Sequence, residues 1–393
     1  MHKFSADRIY CGDGRMLTGH LIITDEEGTI LDIQKSEEHD PASVRHFDGI
    51  ITPGFINTHC HLELSHMKGK ADTGTGLLPF LRTVVGFREV DEEIIQQAII
   101  HADAEMYRNG IVAVGDISNK TDTVNVKSGS KINYYNFIEM FDFLQPSMTN
   151  NTIQQYAEVY DAHGDTNNQM KSYVPHAPYT VSPQLFEFIR SNNKVDSTLS
   201  IHNQETSAEN ELFMFGTGAF QDFYNDFGFN INHFNPNGKS AIHYAMENLD
   251  PRTKTLFVHN TQTVEEDIYA AHQWSEKVYW ATCANANLYI ENRLPDYQAF
   301  VAAGARMTIG TDSLTSNWQL SVWEEIKTIK KYCSYLSLDT LIRWACLNGA
   351  EALSFDHTLG SIVSGKTPGL VWIPCTITEE EEHISDSNPQ RII

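Results

Sequence analysis

From Ile50 onward the chain repeats one pattern: a short apolar run, a polar loop, then a longer stretch with apolar residues at helical spacing. The apolar runs fall at 50–59, 111–117, 132–139, 171–176, 198–202, 255–259, 278–283 and 306–311. Helical stretches fall at 91–109, ended by Gly110, and near 182–192, 264–275, 295–303 and 320–331. Strands alternating with helices eight times over predict an α/β fold, a (β/α)₈ barrel with a parallel sheet closed on itself. Residues 1–50 instead carry short alternating runs, among them His20-Leu21-Ile22-Ile23 and Thr29-Ile30-Leu31-Asp32-Ile33 about a Glu26-Glu27-Gly28 turn. β character returns at 360–374. The expected organisation is a small β-sandwich built from 1–50 and 360–393, with the barrel occupying 51–359. The segment 213–234 carries Phe213, Phe215, Phe220, Phe223, Tyr224, Phe227, Phe229 and Phe234. It reads as a long loop after a barrel strand, able to stack on a planar ligand or to bury its own aromatics.

Composition narrows the class. The 393 residues are 41% hydrophobic and 20% charged, the balance of an ordinary globular protein. With 51 acidic against 28 basic side chains the formal charge is −23, which disfavours nucleic acid as a partner. The run Glu379-Glu380-Glu381-Glu382 reads as an exposed acidic tail. No apolar run reaches the roughly 18 residues of a membrane span. The N-terminus has no secretory h-region, and the six cysteines form no C-x-x-C pair. The expectation is a cytoplasmic protein without disulfides or membrane contact.

The candidate chemistry lies at strand ends. Thr52-Pro53-Gly54-Phe55-Ile56-Asn57-Thr58-His59-Cys60-His61 closes an apolar strand with H-x-H, and residues two apart in a strand point to the same side. Alone the pair is two polar residues at a strand end, since two donors do not complete a metal site. Thr198-Leu199-Ser200-Ile201-His202 and Thr255-Leu256-Phe257-Val258-His259 also end in histidine, and Met307-Thr308-Ile309-Gly310-Thr311-Asp312 ends in aspartate. In a barrel these ends converge on one face. Imidazoles and a carboxylate gathered there can hold one divalent transition metal, zinc or iron(II).

These motifs resemble the amidohydrolase superfamily, in the branch of S-adenosylhomocysteine deaminase, guanine deaminase and the triazine chlorohydrolases. Residues 53–61 are similar to its PGFIDTHxH opening, His202-Asn203-Gln204-Glu205-Thr206 to its HxxET, Val258-His259-Asn260 to its strand-6 histidine, and Gly310-Thr311-Asp312-Ser313 to its GTD. The resemblance covers nearly the whole chain. It implies His59, His61, His202 and Asp312 as metal ligands, with Asp312 also accepting the proton of the attacking water. It implies Glu205 as proton shuttle and His259 as the group that orients that water. Pro175-His176-Ala177-Pro178-Tyr179 resembles the strand-4 PHSPY, which makes His176 and Tyr179 candidate substrate contacts; a histidine bonded to backbone is the plainer reading of His176. The bridging lysine of two-metal members would stand where this chain has His176, while Lys171 lies at the strand's start, so one metal is implied. The family's habit suggests a homodimer.

Several departures bear on substrate. The deaminases that take S-adenosylhomocysteine carry an arginine between strands 3 and 4, and residues 139–170 contain no Arg or Lys. An amino-acid-bearing nucleoside is disfavoured. Arg293, where the family shows LGxGxxP, reads as a substrate contact or a surface ion-pair partner. The run His61-Leu62-Glu63-Leu64-Ser65-His66 resembles deaminases of the aminodeoxyfutalosine type, and Glu63 and His66 either touch substrate or close the loop. The expected function is deamination of a purine-, nucleoside- or pterin-like ring with release of ammonia. A chlorohydrolase or cyclic-amide or amidine hydrolase is the alternative, and a non-catalytic scaffold the third reading. The other zinc-deaminase design, H-x-E with P-C-x-x-C, is excluded by the absence of C-x-x-C.

Overall fold

The chain's structure, a computed structural model, describes residues 1–166, 168–378, 382–384 and 386–393. Both chain ends build one mixed sheet. It holds β1 (His2–Tyr10), β2 (Met16–Leu17), β3 (His20–Thr24), β4 (Ile30–Lys35) and β5 (Arg45–Pro53). The Glu26-Glu27-Gly28 turn joins β3 to β4 as an antiparallel pair, while β1 and β5 run parallel.

The barrel strands follow: β6 (Phe55–Cys60), β7 (Ile111–Ser118), β8 (Asn133–Met140), β9 (Gln169–Pro175), β10 (Thr198–Asn203), β11 (Lys254–His259), β12 (Val278–Thr282) and β13 (Met307–Ile309). They form two parallel arcs, β6 to β9 and β10 to β13. Main-chain bonds join the arcs at both seams: His202 N–H donates to the His176 carbonyl at 2.9 Å, and Thr311 and Asp312 N–H donate to that of His59 at 3.0 Å each. Helices cover the outside, among them Glu92–Arg108, Pro183–Asn192, Glu265–Trp274 and Val322–Tyr332. All eight residues of β7 are buried, as expected of a strand packed on both faces.

Near the C-terminus β14 (Leu370–Ile373) returns to pair with β5. A short hairpin of β15 (Thr376–Ile377) and β16 (Glu382–His383) follows, and β17 (Gln390–Arg391) edges β14.

Four expectations need correction. The run 50–59 is two strands, because the chain changes partner at Gly54: its N–H bonds Pro368 O at 3.1 Å, while Phe55 N–H bonds Gly110 O at 3.0 Å. A Cβ at Gly54 would lie 2.3 Å from Val112 Cγ1, so only glycine fits that crossing. The run 306–311 is strand only to Ile309, since the next residues turn inward onto His59. Half of the aromatic segment 213–234 is helical. It contains the end of Ser207–Phe215 and all of Ala219–Asp226, joined through Gly216 at φ 68° and Gly218 at φ 100°. Finally, Glu382 is no free tail: its carboxylate takes both the Arg8 guanidinium and the Tyr10 hydroxyl. Glu379, Glu380 and Glu381 lie outside the described residues. All six cysteines are unpaired, and among the described residues no helix is long and apolar enough to cross a membrane.

Candidate active site

His59, His61, His202 and Asp312 meet at the C-terminal mouth of the barrel. The Nε2 atom of His61 lies 3.2 Å from that of His59 and 3.3 Å from that of His202. Asp312 Oδ1 is 3.4 Å from His61 Nε2 and 3.7 Å from His59 Nε2. Donors around a tetrahedral zinc, at bonds of about 2.0–2.1 Å, stand about 3.3 Å apart. These separations suit such an ion, and the three imidazole nitrogens lie within 4.8 Å of one another. Burial, the largest cause, pushes the imidazoles of His59, His61 and His202 down, which keeps their nitrogens neutral and free to ligate.

The neighbours of these side chains set their orientation. His202 donates its Nδ1–H to the main-chain carbonyl of His176 at 2.7 Å, which fixes the tautomer and turns the Nε2 lone pair to the common centre. That bond also disposes of a rival cluster, Glu139, His176 and His202, because the ring nitrogen it would need is already a donor. Asp312 adopts φ 58°, a left-handed conformation costing about 1–3 kcal/mol. Its own seam bond and that of Thr311, both to the His59 carbonyl, hold it there, and Ser316 Oγ donates to Oδ2 at 2.5 Å, leaving Oδ1 for the centre. Burial opposes ionisation of Asp312, but the His59 hydrogen bond and the facing histidines outweigh it and hold the carboxyl well below its usual range.

Glu205 and His259 stand beside the ligand set. Glu205 Oε2 is 3.7 Å from His259 Nε2, and its buried Oε1 has no partner. Burial first, then the Asp312 and Glu291 charges, push Glu205 well above the usual carboxylate range, so it is suited to carry a proton. The turn bearing it is held by Glu209, whose carboxylate accepts from the N–H groups of Gln204, Glu205 and Thr206 at 3.1, 2.7 and 3.2 Å. His259, at φ 74°, donates Nδ1–H to Asn287 Oδ1 at 2.8 Å and keeps Nε2 toward the cavity.

The cavity above these groups encloses about 920 Å³ including its open mouth. His176 and Tyr179 line it, and His176 Nδ1 pairs with Thr180 Oγ1 at 2.8 Å. Burial, the largest cause, pushes His176 down to about 3. Of the aromatic segment, Phe223 lines the cavity, while Phe213, Phe220 and Tyr224 pack in a cluster with Leu78, Phe80 and Tyr179. Arg293 is exposed and is not among the lining residues.

Glu63, a candidate substrate contact or loop-closing residue, is not among the residues lining the cavity either. One of its oxygens pairs with Arg88 and the other accepts from the N–H groups of Asn119 and Lys120 at 2.9 and 3.1 Å. His66 Nε2 likewise bonds the Arg88 carbonyl at 2.9 Å. Both residues close the loop.

Strand-end reading missed Glu139 and Asp116. Each ends or nearly ends an apolar barrel strand, so the signal that found His202 was present for them too. Glu139 lines the cavity. Asp116 accepts from Leu62 N–H at 2.8 Å and pairs at 2.6 Å with Lys127, both fully buried. Arg88, in a loop between helices, carried no such signal.

The family described as "Amidohydrolase family" matches residues 50–393. An adenosine deaminase of Helicobacter pylori is 27% identical over 329 residues, 82% of this chain and 78% of that protein. The solved structure of H. pylori aminofutalosine deaminase in complex with methylthio-coformycin superposes with a TM-score of 0.81 at 22% identity, covering all of both chains. A Xanthomonas campestris adenosine deaminase with bound zinc superposes at 0.76 and 22% identity, covering 95% of this chain and 84% of that one.

Proposed function

The chain belongs to the amidohydrolase family, and we propose that it is a single-metal aminohydrolase that releases ammonia from an amino-substituted nitrogen heterocycle. The observation that carries this reading is the convergence of three imidazole nitrogens and one carboxylate oxygen beside a buried carboxyl with an unpartnered oxygen. Deamination is favoured over the other hydrolyses because the H. pylori relative, 27% identical across most of both chains, is an adenosine deaminase.

His59, His61, His202 and Asp312 would hold the metal. When bound it supplies the Lewis acidity that lets water ionise near neutral pH. The remaining chemistry belongs to the chain. Asp312 accepts the proton of the attacking water at Oδ1. His259, fixed by Asn287, orients that water toward the ring carbon bearing the amino group. Glu205 Oε1 donates a proton to the adjacent ring nitrogen, relieving the charge that builds there as the new C–O bond forms. A proton is then returned to the amino nitrogen, the C–N bond breaks and ammonia leaves. His176 and Tyr179 border the ring, and burial of the whole site strengthens each of these interactions. No lysine stands among the described lining residues to bridge a second ion, which supports the single-metal count.

The test is ammonia release from a panel of aminopurines, nucleosides and aminopterins by zinc-loaded protein, alongside Glu205→Gln. The reading expects release from at least one ring and loss of nearly all turnover in the variant with its metal retained. Inactivity on every aminated ring together with hydrolysis of a cyclic amide would overturn it.

A further inference from the structure

The cavity lining divides by chemistry. Leu77, Phe80, Leu81 and Val84, all from the helix Leu77–Phe87, give it an apolar part. Arg88, Asn119 and Glu139 form a polar part and are linked to one another. Arg88 Nη1 approaches Asn119 Oδ1 at 3.5 Å, and Asn119 Nδ2 donates to Glu139 Oε2 at 3.1 Å. Glu139 Oε1 is buried and lies 3.4 Å from His202 Nδ1. Glu139 faces the candidate ligand His202, whereas Arg88, at the other end, has no part in holding the metal or moving protons in the reaction proposed above.

Among the described lining residues Arg88 is the one Lys or Arg, and its charge is already matched. Glu63 takes its Nη2, and the side chain of Glu63 is 1% exposed. Because the other Glu63 oxygen is tied to two main-chain N–H groups, the carboxylate cannot swing away. Arg88 therefore offers the cavity a fixed fork of N–H donors with almost no net charge. An entering carboxylate or phosphate would meet this neutralised pair and, nearby, Glu139, Glu205 and Asp312. It would lose its hydration without gaining a free cation, which is costly. A neutral oxygen acceptor pays far less desolvation and can still use the fork.

We propose that Arg88, clamped by Glu63, is a specificity-determining substrate contact: it selects an aminated heterocycle whose ring substituent is uncharged and presents a hydroxyl or ether oxygen, and it rejects substituents bearing carboxylate or phosphate. This deepens the aminohydrolase reading and rests on it. Arg88 acts by touching substrate; Glu63 acts through Arg88 and is a positioning residue.

The experiment measures kcat/KM of the zinc-loaded enzyme for adenosine, 9-methyladenine and adenosine 5′-monophosphate in the wild type, Arg88→Met and Glu63→Gln. Melting temperature and metal content of each variant are recorded to separate loss of fold from loss of recognition. The wild type favours adenosine over 9-methyladenine and acts poorly on the monophosphate. Arg88→Met reduces the adenosine to 9-methyladenine ratio by about 10- to 100-fold, through KM more than kcat. Glu63→Gln unmasks the guanidinium charge and raises the monophosphate to adenosine ratio by about tenfold or more. Unchanged ratios in either variant, with turnover of adenosine intact in the wild type, overturn the inference alone. Absence of ammonia release from all three compounds by a wild type that turns over another aminated ring overturns the inference alone; inactivity on every aminated ring removes the aminohydrolase reading with it.

Discussion

The carboxylate of Glu209 accepts the main-chain N–H of Glu205 at 2.7 Å, so one buried acid fixes the backbone of another. The cap of the helix Ser207–Phe215 thereby also sets where the proton-carrying side chain stands. Glu209→Gln should lower kcat about 10- to 100-fold, the effect of a small misplacement at the reacting centre, with metal content unchanged. Steady-state kinetics beside metal analysis checks this. A variant with wild-type kcat would show that Glu209 serves the helix cap only.

The buried Lys127–Asp116 pair ties the H-x-H loop to β7 through Leu62 N–H. Lys127→Met leaves a carboxylate in the core without its cation and should cost about 3–5 kcal/mol of stability. Denaturant unfolding measures it. A loss below about 1 kcal/mol, the size of a surface pair, would contradict this account of the core.

Gly310 lies where β13 turns toward the centre. A Cβ added there would come within 2.8 Å of His59 Cβ and 3.0 Å of Cys283 Sγ. Gly310→Ala should push His59 off its position, weakening metal binding and destabilising the fold by about 1–3 kcal/mol. Competition against a chromogenic chelator reads the first effect, and unchanged affinity would mean that the His59 strand yields without cost.

His163 is buried with Nδ1 on the Val159 carbonyl at 2.9 Å. Burial, then the Lys127 charge, push it down to about 3, below the unfolded value of about 6.5. The neutral form is the one the fold favours. Its contribution is therefore complete above about pH 6.5 and is lost as pH falls from there toward about 3. Between pH 7.5 and 4.5 the wild type should lose up to about 2.7 kcal/mol more than His163→Gln, read from urea midpoints. Equal losses in the two proteins would refute the assignment.

Periodicity made the barrel legible because its strands are buried on both faces and its helices on one. His202, His259 and Asp312 were legible for a related reason: a polar residue ending an apolar strand has few structural uses. The change of partner at Gly54 was not legible, because nothing in 50–59 itself reports that Pro368 and Gly110 lie on either side. The helices within 213–234 were hidden by glycines and asparagines that punctuate short elements as they do loops. Arg88 was invisible for a different reason. Its place beside the cavity depends on Glu63, 25 residues earlier, and on Asn119, 31 residues later.

The most direct test of the account is a titration of chelator-stripped protein with zinc while ammonia release is followed from an aminated ring that the panel shows to be turned over. The account predicts no release without metal, a linear rise, and a sharp plateau at about one ion per chain, as one tetrahedral set of four donors requires. Release from metal-free protein, or a rise that continues to two ions per chain, would contradict it.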